Sequence, residues 1–293
     1  MPIKPEITKH SNWKRELGSS FTRIQDFLEH VDLPGLYNES MEHACRQFSF
    51  RVTRHLAALI RKGDPNDPLL LQVLPSAAEL KPHPDFSLDP LRDQQAHQGS
   101  GILQKYQGRA LLISTAACAI NCRYCFRRHF PYTSHQAARD RWSGAVKKLR
   151  ASPGITEIIL SGGDPLSMSN ERLDDLLIQL QSIPALERLR IHTRLPVVLP
   201  SRVDRELLRI LRSLEMPLAM VIHVNHANEL SSGLGNALQA LRGINITLLN
   251  QSVLWRTVND NLEQLVRLCE ELYASGVLPY YQHLLDTVSG RVH

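Results

Sequence analysis

The sequence predicts an α/β fold built on a parallel sheet, either closed as a β/α barrel or left open, and three observations carry that expectation. Short β-rich runs alternate with helical periodicity from about Arg109 onward, which is the pattern of repeated βαβ units. Polar groups collect just after several of these runs, where a parallel sheet gathers its functional residues. The chain has 293 residues with 43% apolar content, ample for one core with appended structure.

Taken in order, the expected strands are Ala110 to Thr115, Ile155 to Leu160, Arg188 to Thr193, Leu218 to Val224, Ile244 to Leu249 and Val277 to Leu284. Each is a short run of β-branched residues and leucines. The helices between them show i, i+3, i+4 spacing. They carry Trp142, Ala145, Val146 and Leu149, then Leu173, Leu176, Leu177 and Leu180, then Leu207, Leu208, Leu211 and Leu214. The last helix carries Leu262, Leu265, Val266, Cys269, Leu272 and Tyr273, a stripe expected to bury Cys269. Cys45 reads as a packing residue. Residues 1–100 read as a mainly helical N-terminal extension and residues 101–293 as the core.

Charge and hydropathy exclude several classes. The formal charge is +5 and the pI about 9.0, but lysines and arginines are spread along the chain, so no nucleic-acid partner is expected. No apolar run is long enough to span a bilayer, and Met1 to Leu17 lacks the hydrophobic core of a signal peptide. Five cysteines in a chain of this length fit a reduced compartment. The expectation is a cytoplasmic protein that touches no membrane.

Three of the five cysteines fall in one C-x3-C-x2-C run, CAINCRYCFRRHFPY, directly after the first strand. Spacings of three and two residues let Cys118, Cys122 and Cys125 reach three irons of a [4Fe-4S] cluster, leaving one iron for an external ligand. A zinc site normally uses two separated ligand pairs. No second CxxC or HxxxH follows at that distance, although His129 offers a fourth ligand.

The remaining polar groups stand at other strand ends. SGGDP, Ser161 to Pro165, follows the second strand, and its glycines permit close backbone approach and exposed amides. HVNHANE, with His223 and His226, closes the fourth strand, and Asn250 to Ser252 close the fifth.

CxxxCxYC after one strand with SGGDP after the next resembles the radical S-adenosylmethionine (SAM) enzymes. KYQGRALL, CRYCFRRHFPY, LSGGDP, HTRLPVV, HVNHANE, LNQSVLWRTVNDN and PYYQHLLD together resemble the lysine 2,3-aminomutases. The nearest is the short form that supplies (R)-β-lysine for modifying translation elongation factor P. The similarity runs from about Phe50 nearly to the end of the chain.

That resemblance implies a partial (β/α)6 radical SAM barrel, L-lysine as substrate, a separate electron donor, and three cofactors: the [4Fe-4S] cluster, SAM and pyridoxal phosphate. It assigns Cys118, Cys122 and Cys125 to the cluster. Tyr124, Ser161, Gly162, Gly163, Asp164, His223 and Gln251 go to SAM, and Lys105, Tyr106 and Arg109 to pyridoxal phosphate. Arg127 would clamp the substrate α-carboxylate with a bidentate contact, and Asp286 would pair with the distal ammonium. Arg123 and Arg128 read as solvated or charge-balancing cations. The family anchors pyridoxal phosphate through a lysine in a Gly-rich segment after the sixth strand, and a second carboxylate for the substrate lies there too. Here no lysine follows Lys148 and the chain ends at His293, so a C-terminal truncation relative to the family is expected. Two other readings stay open: an aminomutase of another amino acid such as glutamate or arginine, or a zinc-stabilised nucleic-acid module facing phosphates with Arg123, Arg127 and Arg128.

Overall fold

In the computed structural model, which describes residues 12–132 and 140–290, the β-rich runs become seven strands of one sheet. They are β1 (Ile102–Tyr106), β2 (Arg109–Thr115), β3 (Glu157–Gly162), β4 (Arg188–Thr193), β5 (Leu218–His223), β6 (Thr247–Leu254) and β7 (Leu278–Leu284). Neighbours in sequence are neighbours in the sheet. The β1–β2 pair is antiparallel and every later pair parallel. Strands added in one direction with helices outside give a partial barrel with β1 and β7 as its edges.

Helices connect the parallel strands: α6 (Ser143–Arg150), α7 (Asn170–Gln181), α8 (Leu195–Val198) with α9 (Arg205–Arg212), α10 (Ser232–Arg242) and α11 (Leu262–Ala274). Side chains that accept backbone N–H bonds start four of them, namely Ser169, Asp204, Ser231 and Asn261. Before the sheet come α1 (Trp13–Gly18), α2 (Ile24–His30), α3 (Glu39–Gln47), α4 (Arg54–Leu59) and α5 (Pro68–Leu71). Phe27, Leu28, Leu56 and Leu69 of this region share one buried cluster with Leu112, Ile158 and Ile191 of the sheet.

The partial α/β barrel is as expected; several boundaries are not. β1 was not foreseen, since the turn Gln107–Gly108 that folds it back on β2 is a single positive-φ glycine. The fifth run starts late, at Thr247, because Ile244 and Asn245 still bond back to the end of α10 and Asn245 turns through φ 62°. β6 then continues to Leu254, so Asn250 to Ser252 lie within the strand and not after it.

The stripe on α11 is corrected too. Only Leu268 and Leu272 are buried, whereas Leu262 is 78% and Tyr273 75% exposed, and Cys269 is exposed with them. The helix meets the sheet along one narrow seam beside the edge strand β7, which is itself mostly exposed. Among the described residues nothing covers its other apolar face.

Candidate active site

The cysteine loop leaves β2 and is tied down on two sides. On the sheet side, Gly163 N–H donates to Thr115 O at 2.7 Å and Asp164 N–H to Ala117 O at 2.7 Å. A Cβ on Gly163 would stand 2.4 Å from Ala117 O, and Gly162 sits at φ 116° with its own Cβ position 2.6 Å from Thr115 O. Both glycines are therefore required by sterics. The close approach they permit is to the cysteine loop itself, and the amides expected to be exposed are occupied. On the other side, Asn121 N–H donates to Arg51 O at 3.0 Å and Arg123 N–H to Gln72 O at 2.9 Å, both from the helical extension.

Two buried carboxylates absent from the sequence reading organise the arginines. Glu79 accepts from Arg123 Nε at 2.8 Å and Arg128 Nη2 at 2.7 Å, with a further bond from Arg123 Nη2. Arg123 is 2% exposed and stacks over Phe48 with Arg128. Of the two readings, the solvated one fails for both: a charge this deep requires a partner, and the carboxylate they balance is Glu79. Asp93 does the same for Arg127, accepting from its Nε at 2.8 Å while also pairing with Lys105 Nζ at 2.5 Å. These cations hold the Asp93 carboxyl below its usual range even though burial, the largest single influence, raises it. Arg127 Nη1 also donates to Ser161 Oγ at 3.1 Å, joining the cysteine loop to the end of β3.

A third knot surrounds Arg194, just after β4. It donates to Cys122 Sγ at 2.9 Å, to the Tyr124 hydroxyl, to Gln72 Oε1 at 2.7 Å and to Glu229 Oε2 at 2.8 Å. Tyr124 is buried edge-to-face on Trp255. Asp164 is wholly engaged: it accepts from Thr193 Oγ1 at 2.7 Å and from the N–H groups of Leu166, Arg194 and Leu195. It clamps the start of α8 and orients Arg194.

His223 and Gln251 are paired across β5 and β6, with Gln251 Nε2 3.3 Å from His223 Nδ1. Burial, then His192 and Arg194, hold the His223 pKa well below normal, so the imidazole is neutral. His226 instead caps a short turn by accepting from Asn228 N–H at 3.1 Å. Asn250 spans to the Val224 backbone through both ends of its amide. On the inner face, Glu157 pairs with Arg109 at 2.9 Å and Arg190 at 2.8 Å. One layer above Arg190, burial and then Arg190 and Arg127 push His192 down to about 3. Lys105 and Arg109 therefore belong to two different ion-pair groups, and Tyr106 is 68% exposed at the sheet edge. Asp286, beyond β7, lies in a half-buried segment whose next residues reach the cysteine loop. Ser289 O meets His129 Nε2 at 2.7 Å, and Gly290 O meets Arg128.

A family model described as the radical SAM superfamily matches residues 112–285, from β2 to just past β7. The chain is 42% identical to a Haemophilus influenzae protein named L-lysine 2,3-aminomutase, over 100% of this chain and 87% of that one. It is 46% identical to the Escherichia coli protein of the same name over 85% of this chain and 73% of that one. With a Clostridium subterminale protein, again named L-lysine 2,3-aminomutase, it shares 32% identity over 97% of this chain. The chain belongs to the radical SAM superfamily, in its lysine 2,3-aminomutase family.

Radical SAM membership implies a [4Fe-4S] cluster and SAM, and the donor set fits. Cys118, Cys122 and Cys125 lie within electrostatic reach of one another: burial first, then Cys125, Asp164 and Cys122, raises the Cys118 pKa. Among the described residues no three His, Cys, Asp or Glu side chains converge on a single ion; a cubane spreads its thiolates over its corners. A seven-stranded sheet with one large core is not a small zinc-dependent module. His129, the fourth ligand weighed for zinc, is bonded to Ser289. Cys45 stays apart from this set: half-buried against the core, its thiol is pushed up to about 11 by burial and stays protonated. It borders a cleft of about 710 Å³ between the extension and the loop at Ala117, Cys118 and Asn121.

Glu79, Asp93, Gln72, Arg194 and Glu229 escaped the sequence reading. HTRLPVV and HVNHANE contain Arg194 and Glu229, so two were inside recognised motifs. Glu79 carried a local sign as well, the Ser76 capping box. Asp93 and Gln72 carried none.

Proposed function

We propose that the protein interconverts L-lysine and (R)-β-lysine by 2,3-amino migration, with pyridoxal phosphate as a third cofactor, and that the product serves to modify translation elongation factor P. The observation that carries the reading is the 42% identity to an L-lysine 2,3-aminomutase along the whole chain, together with the resemblance of its motifs to the short form. When bound, the cluster with SAM would supply a radical, and pyridoxal phosphate would supply the carrier for the migrating amino group. The chain's own residues position and exclude water.

Arg127 suits the substrate carboxylate, since Asp93 and Ser161 orient its guanidinium where β3 ends. Asp286 suits the distal ammonium from the opposite edge. Ser161, His223 and Gln251 would line the SAM side, with Tyr124, Gly162, Gly163 and Asp164 shaping it from behind. Pyridoxal phosphate would set its phosphate on the inner face near Arg109, with Lys105 and Tyr106 at the rim. Support comes from Arg190 Nε and His192 Nε2, buried there without hydrogen-bond partners among the described residues. An electron donor must reduce the cluster, and a reduced cytoplasmic setting suits both the cluster and five cysteines that form no disulfide. Among the described residues no helix is long and apolar enough to cross a membrane.

The test is β-lysine formation from L-lysine by this chain, reconstituted anaerobically with iron, sulfide, SAM, pyridoxal phosphate and a strong reductant. Chiral chromatography should find (R)-β-lysine. Product only from L-glutamate or L-arginine would overturn the choice of substrate, and no product from protein with an intact cluster would overturn the activity.

A further inference from the structure

We propose that Arg194 is a positioning residue that sets the reduction potential of the cluster through Cys122, with Glu229 as its opposing counter-charge. The inference rests on the reading of Cys118, Cys122 and Cys125 as cluster ligands. It assigns a role that neither the cysteine motif nor the strand-end residues supply.

The geometry is specific. Arg194 is 6% exposed and Glu229 0%. Of the guanidinium's nitrogens, Nη1 bonds Cys122 Sγ at 2.9 Å and the Tyr124 hydroxyl, whereas Nη2 bonds Gln72 and Glu229. The backbone N–H of Arg194 is held by Asp164 at 2.7 Å. Glu229 is held in turn by the N–H groups of Asn225 at 2.8 Å and His226 at 3.0 Å. Neither charge is free to swing away. A neutral thiol is a poor acceptor, so a buried cation aimed at sulfur suits a thiolate.

Electrostatics gives the direction. An N–H bond and a positive charge at a ligating sulfur stabilise the more negative, reduced cluster and so raise its potential. Glu229, on the far side of the same guanidinium, opposes that effect. Removing either partner therefore moves the potential in opposite directions. A merely structural role would not, because loss of packing affects both variants alike.

The experiment is a spectroelectrochemical titration of the reconstituted cluster in the wild type, Arg194→Met, Arg194→Lys and Glu229→Gln, without substrate. At the wild-type midpoint, Arg194→Met should hold about tenfold less reduced cluster relative to oxidised, a midpoint about 59 mV lower for one electron. Arg194→Lys should fall between, and Glu229→Gln should lie above the wild type. Unchanged midpoints, or shifts of both variants in the same direction, overturn the proposal. Should Arg194→Met take up no cluster, Glu229→Gln decides alone, and a midpoint at or below the wild type overturns it. If the wild type itself binds no cluster, the cluster reading fails first and this inference with it.

Discussion

Replacing Glu79 with alanine probes how far the helical extension holds the cysteine loop in place. The Glu79 carboxylate is 2% exposed and meets three guanidinium donors from Arg123 and Arg128, on either side of Cys125. It also accepts the Ser76 N–H at 3.1 Å, closing a capping box. Deleting it strands two buried cations, which costs about 3–5 kcal/mol where a buried pair is broken. The cap adds roughly 1 kcal/mol. Against a total stability of about 5–15 kcal/mol, that is a large fraction. Urea denaturation of the apoprotein, followed by tryptophan fluorescence, measures the loss directly as a lower midpoint at similar slope. Iron content after reconstitution reports the loop. Ser76→Ala, which loses only a cap, should cost about 1 kcal/mol. Replacing Glu79, Arg123 and Arg128 together with leucine and two methionines should recover much of the stability, because the expense lies in unpaired charge and not in the missing contact. A Glu79→Ala protein within about 1 kcal/mol of the wild type, with full iron content, would refute the reasoning.

Other outcomes follow from the same geometry. Gly163→Ala should fold but take up markedly less iron, since its Cβ would stand 2.4 Å from Ala117 O and displace the loop that carries Cys118; full iron incorporation would contradict this. His192, held down to about 3 mainly by burial, is neutral in the fold but charges near 6.5 when unfolded. The unfolded state thus binds the extra proton, and stability should fall as pH drops from about 6.5 toward 3, by at most about 1.4 kcal/mol per pH unit. His192→Gln should flatten that slope, and an unchanged slope would show that another group is responsible. Asp93→Asn should raise the KM for L-lysine several-fold by loosening Arg127, with a smaller effect on kcat; a change in kcat alone would place Arg127 away from the substrate. Asp286→Asn should weaken lysine turnover without changing cluster content, and unaffected turnover would remove the argument for a cationic substrate.

Much of this protein was legible in its sequence. The alternation of strand and helix periods pointed to a parallel sheet, closed or open, because period 2 and period 3.6 patterns bury different faces and are written into consecutive residues; the partial barrel was implied only by the family resemblance. The C-x3-C-x2-C run likewise encodes its chemistry locally. The α11 stripe misled because amphipathicity records which face is apolar and not whether anything lies over it; Leu262, Tyr273 and Cys269 are exposed. SGGDP misled in a subtler way. Its glycines signal close backbone approach, and only the fold reveals that the approaching chain is Thr115 to Ala117.

By itself, then, the sequence determined the order of the six parallel strands, the cysteine loop and the motifs at the strand ends. Tertiary structure alone decided how the charges are partnered: Glu79 with Arg123 and Arg128, Asp93 with Arg127, Glu229 with Arg194. These pairs join residues 34 to 49 positions apart. No local pattern specifies such a pairing, because a buried charge selects its partner by proximity in a low-dielectric interior, which exists only once the chain has folded.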